Sequence, residues 1–199
     1  MKSFAALISL LLAVTTASAE APQKAAAPVV EKAVAQDTLK SVAGAGKLEF
    51  LAIGKPAMIR IKGEGPAPTG EVTVKDGKAS GEFKLALNSL NTGIEMRDSH
   101  MKEKYLETAK HPEAVLKISD LEIKDIKSGK DTPFTGTLNL HGVEKPVSGT
   151  FTNEGTATEQ KVKATFKVKI SDHTIEIPSY AGIKVADEVE VKIEAELKK

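Results

Sequence analysis

The amino-acid sequence predicts an all-β domain built from about eight or nine antiparallel strands. Two segments near the C-terminus, 161–170 and 188–197, alternate between apolar and charged or polar residues. Successive side chains of a strand point to opposite faces, so each segment predicts a strand with one buried and one solvated face. A parallel sheet covered on both faces would not place Lys or Glu at every second position. Such strands, joined by short turns, form a closed barrel or a two-layer sandwich.

Weaker alternation predicts the remaining strands. Asp76-Gly77 separates two short alternating runs, and it is a hairpin signal because Gly readily adopts a positive φ. His141-Gly142 is interpreted in the same way, with Gly142 at positive φ in the turn. The further candidate strands are 48–54, 58–61, 71–74, 81–87, 116–123, 134–140 and 147–151.

One segment, 96–108, lacks the alternation and predicts a short helix or helical turn over one end of the strands. Met101, Tyr105 and Leu106 fall on one face at helical spacing. Pro112 disfavours helical backbone at the preceding residue, so we expect the chain to re-enter a strand near Ala114.

The first 19 residues have the features of a secretory signal peptide. Lys2 supplies a positive charge, an apolar run follows over 4–14, and small residues at 17–19 form a cleavage site. The run is shorter than the roughly 20 apolar residues that span a bilayer, although an uncleaved membrane anchor remains an alternative. We therefore expect a periplasmic or secreted protein whose mature chain begins at Glu20.

Residues 20–43 are rich in Ala, Pro and Lys and predict a flexible tether, followed by one domain over 44–199. Removing 1–19 takes away one lysine and leaves 27 basic and 27 acidic groups. This formal balance gives no electrostatic support to nucleic-acid binding. The sequence has no Cys, so we expect packing and hydrogen bonds to stabilise it without disulfides.

Familiar catalytic motifs are absent from the sequence. It contains no G-x-S-x-G, H-E-x-x-H, phosphate loop or G-x-G-x-x-G. The four histidines, at 100, 111, 141 and 173, show no spacing typical of a metal site. We therefore expect no cofactor and no metal, with the histidines at loop ends or hydrogen-bonded to backbone carbonyl groups. A metal site assembled from distant histidines is the alternative.

Two motifs, in order along the chain, resemble those of the YceI-like proteins. Residues 92–112 contain Thr-Gly, Arg-Asp-Ser-His-Met, Tyr-Leu and His-Pro, similar to the family's T-G…R-D-x-H-L…Y-P run. Residues 136–147, GTLNLHGVEKPV, are similar to the family's G-x-L-T-L-H-G-V-T-K-P-V hairpin. Gly-Ile at 182–183 and Asp-Glu-Val at 187–189 follow in the right order, so the resemblance covers residues from about 45 to 197.

The resemblance implies an antiparallel, lipocalin-like β-barrel of about eight strands, with a short helix over one end and a long apolar cavity. Members of the family bind polyisoprenoid or similar lipid chains, and the resemblance brings no catalytic residue with it. Combined with the alternation, it predicts which side chains contact a ligand. These are Leu138, Leu140, Ala164, Phe166, Val168, Val191, Ile193, Ala195 and Arg97.

Two stretches depart from the family pattern, and both concern the expected mouth of the cavity. The family's first strand, with W-x-I-D…H-S, is replaced by LEFLAIG at 48–54. The family's late Arg-x-Asp-Phe-Gly-Ile element is replaced by residues 171–173 and, further on, 180–183. Arg97 has two interpretations here: it receives an anionic head group, or it holds a neighbouring loop carbonyl while Asp98 complements the helix N-terminus.

These observations predict an envelope lipid-binding protein that carries or sequesters a long, polyisoprenoid-like chain inside the barrel. One alternative is a metal-dependent envelope enzyme using His100 and His141, and another is a structural module with a filled core. We expect neither nucleic-acid binding nor stable membrane insertion, and a homodimer is left open.

Overall fold

The computed structural model describes residues 37–56, 58–124, 126–180 and 182–199. The predicted signal peptide and the tether up to residue 36 lie outside this range. Within it, the chain forms eleven strands, one short α-helix, one π-helical segment and two 3₁₀ turns. The strands are β1 (Asp37–Lys55), β2 (Ile59–Pro66), β3 (Thr69–Lys75), β4 (Lys78–Ala86), β5 (Glu113–Glu122), β6 (Thr132–Leu140), β7 (Val143–Gly155), β8 (Glu159–Lys169), β9 (Ser179–Tyr180), β10 (Ile183–Val185) and β11 (Glu188–Lys198).

Eight of these strands close into an antiparallel barrel. The ring runs β1-β11-β8-β7-β6-β5-β4-β3 and returns to β1, which pairs with β11 along one edge and with β3 along the other. The strand β2 pairs with the second half of β1, and the short pair β9–β10 extends from the end of β1. The lipocalin-like barrel is therefore confirmed, and the open choice between barrel and sandwich is resolved.

The pairing of β8 with β11 shows how the alternation builds the wall. Ala164 lies opposite Ile193 and Phe166 opposite Val191, and these side chains face the interior. The neighbouring positions face solvent, where Lys167 and Glu188 form an ion pair with an Nζ–Oε1 distance of 2.7 Å. One dry and one wet face per strand is what the period-two pattern predicts, so this prediction is confirmed.

Both predicted two-residue hairpins are present. Asp76 and Gly77 have φ values of 52° and 76°, and His141 and Gly142 have values of 55° and 75°. Positive φ at both central residues is typical of a type I′ turn, whose twist matches that of the flanking strands. These turns fix the register of β3 with β4 and of β6 with β7.

The first strand begins earlier than the predicted domain boundary. Residues 37–43, which the sequence analysis assigned to the tether, belong to β1. Leu39 is buried and lies opposite Val72 of β3, so one apolar residue anchors this stretch in the sheet. Small and polar neighbours give the segment little alternation, and its pairing partners come from distant parts of the chain.

The predicted helix over 96–108 corresponds to two consecutive helical elements. The α-helix α1 (Glu95–Ser99) continues directly into a π-helical segment, His100–Tyr105. The backbone N–H of Leu106 donates to the carbonyl oxygen of Met101, 2.8 Å away, which is the five-residue spacing of a π-helix. Met101, Tyr105 and Leu106 pack against the hydrophobic core, as their shared helical face predicted.

Candidate functional site

A cavity of about 1220 Å³ lies inside the barrel. Every strand of the eight-stranded ring contributes to its wall, and most of the lining side chains are aliphatic or phenylalanine. Ligand sites in proteins commonly enclose about 300–1,000 Å³, so this interior has room for a large apolar ligand.

The structure places all nine predicted ligand-binding residues at this cavity. From β6, β8 and β11 come Leu138, Leu140, Ala164, Phe166, Val168, Val191, Ile193 and Ala195, and from α1 comes Arg97. Four of the wall residues are almost fully buried, while the two alanines are half-buried and border the open interior. Their position in the wall is shown, and their contact with a ligand stays a prediction.

Three phenylalanines form one patch of the wall. The ring of Phe134 lies edge-on to Phe151 at 6.3 Å and to Phe166 at 6.1 Å between centroids, with interplanar angles of 69° and 84°. Edge-to-face contacts of this kind contribute about 0.5–1.5 kcal/mol beyond the area they bury. Ring contacts therefore help to hold this part of the wall together, and its side chains supply no group that transfers a proton.

Exposed apolar side chains mark where the cavity opens to solvent. Ile59, Ile94, Met96 and Tyr180 line the cavity and yet are 42%, 54%, 64% and 74% exposed. None of these residues was among the predicted ligand-binding residues, because they lie outside the clear alternation. The available signal was two large apolar residues, Ile94 and Met96, that flank a charged residue where the helix begins.

Two cationic side chains and one histidine lie beside this apolar mouth. Arg97, His100 and Lys104 all line the cavity and come from the helical segment. Lys104 Nζ lies 3.7 Å from a carboxylate oxygen of Glu176 and 5.0 Å from the centre of the Tyr105 ring. The mouth therefore combines apolar and positively charged side chains, which suits a ligand or surface with the same amphipathic character.

A second group of polar side chains lies where the helical segment meets the β6–β7 turn. His141 Nε2 lies 3.0 Å from Glu107 Oε2, and the rings of His111 and His141 are 4.4 Å apart. Hydrogen bonds from Lys110 and His141 hold the pKa of the Glu107 carboxyl below its ordinary value. The structure thus unites two histidines that their sequence spacing left separate.

The other two histidines lie elsewhere. His173 is almost fully buried, and its Nδ1 lies 3.0 Å from the carbonyl oxygen of Val143, as expected for a histidine hydrogen-bonded to the backbone. His100 lines the cavity instead of joining His141. Within the described part of the chain, the group of possible metal ligands around His141 consists of Glu107 and His111 and does not include His100.

A closed antiparallel barrel around a large, mostly apolar cavity is the architecture of lipocalin-like proteins, which enclose ligands. The chain belongs to the family of YceI-like domains, whose model matches residues 46–197. The resemblance found in the two motifs is thereby confirmed. Over the described residues, no helix is both long enough and apolar enough to cross a bilayer.

Relatives and solved structures agree with this assignment. The chain is 42% identical over 62 residues to a UPF0312 protein of Enterobacter sp. strain 638 and 41% identical over 61 residues to one of Pectobacterium carotovorum. Each match covers about a third of this chain, 31% and 30%, and 30% of the relative's length.

Two solved structures share the fold at lower identity. One is a polyisoprenoid-binding domain from Saccharophagus degradans implicated in plant cell wall breakdown, with a TM-score of 0.62 and 19% identity. That alignment covers 83% of this chain and 98% of the domain. The other is BcnA of Burkholderia cenocepacia, with a TM-score of 0.60, 18% identity, and coverage of 75% and 95% respectively.

Proposed function

We propose that this protein binds one long apolar chain of the polyisoprenoid type inside the barrel and carries or sequesters it in the bacterial cell envelope. The observation that carries the proposal is the cavity of about 1220 Å³ with its largely apolar wall. An empty apolar interior of this size is unfavourable for stability, because close-packed cores hold few voids larger than a water molecule. A function that uses the volume explains why it is retained.

The energetics of burial favour such a ligand. Removing one CH₂ group from water contributes about 0.8 kcal/mol, so a five-carbon isoprenoid unit contributes roughly 4 kcal/mol before ordering terms. Association itself opposes binding by about 4–15 kcal/mol. A chain of several units therefore gives useful affinity without any specific polar contact, and a single unit does not.

The mouth supports the uptake of a lipid from an aggregate or a membrane. Ile94 and Met96 project apolar side chains into solvent beside the entrance, and Lys104 adds a positive charge nearby. A lipid tail entering between them stays in contact with apolar atoms along its path. The head group remains outside the barrel in this arrangement.

The chemistry of the wall favours binding over catalysis. Aliphatic and phenylalanine side chains neither transfer protons nor act as nucleophiles, and they dominate the cavity. The solved structure from Saccharophagus degradans that shares the fold is a polyisoprenoid-binding domain, which agrees with the proposed ligand class. The cavity itself argues against the alternative of a filled-core module.

We also infer that the protein is exported to the periplasm or secreted, with residues 1–19 removed. The signal-peptide features of that segment support this location. N-terminal sequencing of the protein from the envelope fraction should give Glu20 as the first residue. Recovery of a chain that still begins at Met1 would contradict the inference.

The direct test is to purify the protein from its own envelope, extract it with organic solvent and identify the released lipids by mass spectrometry. We expect a polyisoprenoid in near-stoichiometric amount. A delipidated sample should then bind a fluorescent polyprenol, and sedimentation analysis before and after loading shows whether the binding species is a monomer or a homodimer. Absence of any co-purified lipid together with no polyprenol binding would overturn the proposal.

A further inference from the structure

Three side chains from separate elements meet outside the cavity wall. Glu107 follows the π-helical segment, His111 precedes β5, and His141 occupies the β6–β7 turn. Each offers one ligand atom, and the three atoms lie within 4.8 Å of one another. All three residues are half-buried, so the group is protected and still reachable from solvent.

The two ring nitrogens of His141 face different partners. Its Nδ1 lies 3.2 Å from the carbonyl oxygen of His173, and its Nε2 lies 3.0 Å from Glu107 Oε2. The contact at Nδ1 orients the ring so that Nε2 is directed at the Glu107 carboxylate, which is where an ion bound by both groups would lie.

This is also how proteins orient a metal-binding histidine. The ring nitrogen that does not bind the metal commonly donates to a backbone carbonyl, which fixes the tautomer and the ring plane. The His173 carbonyl provides that partner here. A second acceptor contact, 3.4 Å from Nδ1 to the Thr174 hydroxyl oxygen, lies on the same side of the ring.

The backbone holds two of the three residues in an uncommon conformation. Glu107 has φ 43° and His141 has φ 55°, both in the left-handed region that non-glycine residues seldom adopt. Gly142 gives His111 its space, because a Cβ at that position would lie 3.0 Å from His111 Cε1. For His141 this conformation belongs to the β6–β7 turn, so the hairpin itself sets the direction of the side chain.

We propose that Glu107, His111 and His141 bind one divalent transition-metal ion, with Zn²⁺ the best match to two imidazoles and one carboxylate. Ligand atoms about 2.0–2.1 Å from a tetrahedral zinc ion lie roughly 3.3 Å from one another. The three ligand atoms here lie within 4.8 Å of one another, so small side-chain movements would bring them to that distance. Lys110 pairs with the other carboxylate oxygen of Glu107, which leaves Oε2 for the ion. Water completes the coordination.

The ion would tie the loop after the helix to the β6–β7 turn. The residues it joins are 34 positions apart in sequence, so binding restrains a long loop and stabilises the folded chain. The site is separate from the apolar interior, and its occupancy is measured without any lipid.

The test uses protein produced without a polyhistidine tag, stripped with a chelator and titrated with Co²⁺ and Zn²⁺. We expect one Co²⁺ per chain, with visible absorption bands of a four- or five-coordinate ion, displacement by Zn²⁺ and a higher melting temperature with Zn²⁺. His111→Phe, which keeps an aromatic ring beside His141, should weaken Co²⁺ binding at least about 100-fold. Glu107→Gln tests the carboxylate separately, so the proposal can still be tested if one of the two variants fails to fold.

The matched control is Glu103→Gln, because Glu103 is an exposed helical residue outside the cluster. Its Co²⁺ affinity and spectrum should equal those of the unmodified protein. Absence of stoichiometric binding in the unmodified protein, or equal affinity in the folded cluster variants and the control, would overturn the proposal.

Discussion

Arg97 donates two hydrogen bonds to Thr92, one from Nε to the hydroxyl oxygen and one from Nη2 to the carbonyl oxygen, each 2.8 Å long. Asp98 Oδ1 completes the arrangement by accepting from the N–H and the hydroxyl of the same threonine, at 2.8 and 2.5 Å. Of the two interpretations that the sequence left open, the structure forms the contact with the loop carbonyl. Arg97 therefore holds the loop that leads into the helix.

Replacing Arg97 with Ala should lower the free energy of unfolding by about 1–3 kcal/mol, because hydrogen bonds from a charged donor are lost. The preference of the protein for polyprenyl phosphate over polyprenol should stay unchanged, since the guanidinium is engaged with Thr92. Denaturant unfolding and binding of the two lipids measure these effects. Lys84→Ala is the control, because Lys84 lies outside the cavity lining and its exposed ion pair with Glu82 contributes less than about 1 kcal/mol. A specific loss of phosphate binding in Arg97→Ala would favour the head-group interpretation.

The exposed residues at the mouth should control the rate of lipid uptake. Changing Ile94 and Met96 together to Ser should slow the transfer of a fluorescent polyprenol from vesicles to the protein, because the apolar path into the barrel is interrupted. Stability should change by less than about 0.5 kcal/mol, as is usual for exposed positions. Met58→Ser is the control, since Met58 is also exposed (63%) but does not line the cavity. Equal slowing in both variants would contradict a role for the mouth.

Asp187 should make part of the stability depend on acid pH. The hydroxyl and the backbone N–H of Ser171 donate to its carboxylate oxygens at 2.7 and 2.9 Å, and they lower the pKa of Asp187 below its ordinary value of 3.8. A lowered folded-state pKa gives stability that is present above the unfolded-state pKa and is lost as the pH falls through the folded-state pKa. Asp187→Ala should be less stable at neutral pH.

Urea unfolding of both proteins from pH 7 downward measures this contribution. The two stability curves should converge once the pH falls below the ordinary carboxyl range, because the protonated Asp187 no longer accepts both bonds as an anion. Ser171→Ala should show a smaller version of the same change. A constant difference between the curves at every pH would show that the carboxylate charge is not involved.

Much of the barrel could be predicted because its strands carry their information locally. The register of Ala164 with Ile193 follows from two alternating segments, and the turn at His141-Gly142 follows from its residue types. The start of β1 could not be predicted in the same way. Residues 37–43 are mostly small or polar, and their place in the sheet is set by strands that come later in the chain.

The site was predictable where it is part of the wall and not where it depends on closure of the barrel. Alternation places Phe166 and Val191 inside, whichever ligand is bound. By contrast, Glu107 and His141 meet only because the helical segment lies against the β6–β7 turn. No spacing rule within the sequence reports a contact of that kind.

Filling the cavity from its wall separates a ligand-binding barrel from a filled core. Ala164 is half-buried in β8, faces the cavity and lies opposite Ile193 and Phe151 on the neighbouring strands. In a close-packed core, Ala164→Phe would cost about 1–3 kcal/mol of stability through overpacking. In a cavity of about 1220 Å³ the ring has room, so we expect the free energy of unfolding to change by less than that. The same ring occupies ligand volume and should weaken polyprenol binding.

The measurement is a pair of experiments, denaturant unfolding and retention of polyprenol, on the unmodified protein and on Ala164→Phe. Thr165→Phe is the matched control, because Thr165 is exposed on the outer face of the same strand and a ring there leaves the cavity unchanged. Ala195→Phe provides an independent position, on β11, where the side chain also lines the cavity. A chain held inside the barrel predicts weaker polyprenol binding with nearly unchanged stability in both alanine variants. The control should bind polyprenol as well as the unmodified protein does. A clear loss of stability at both alanine positions, in a protein that never retains lipid, would show that the interior is packed and would defeat the carrier hypothesis.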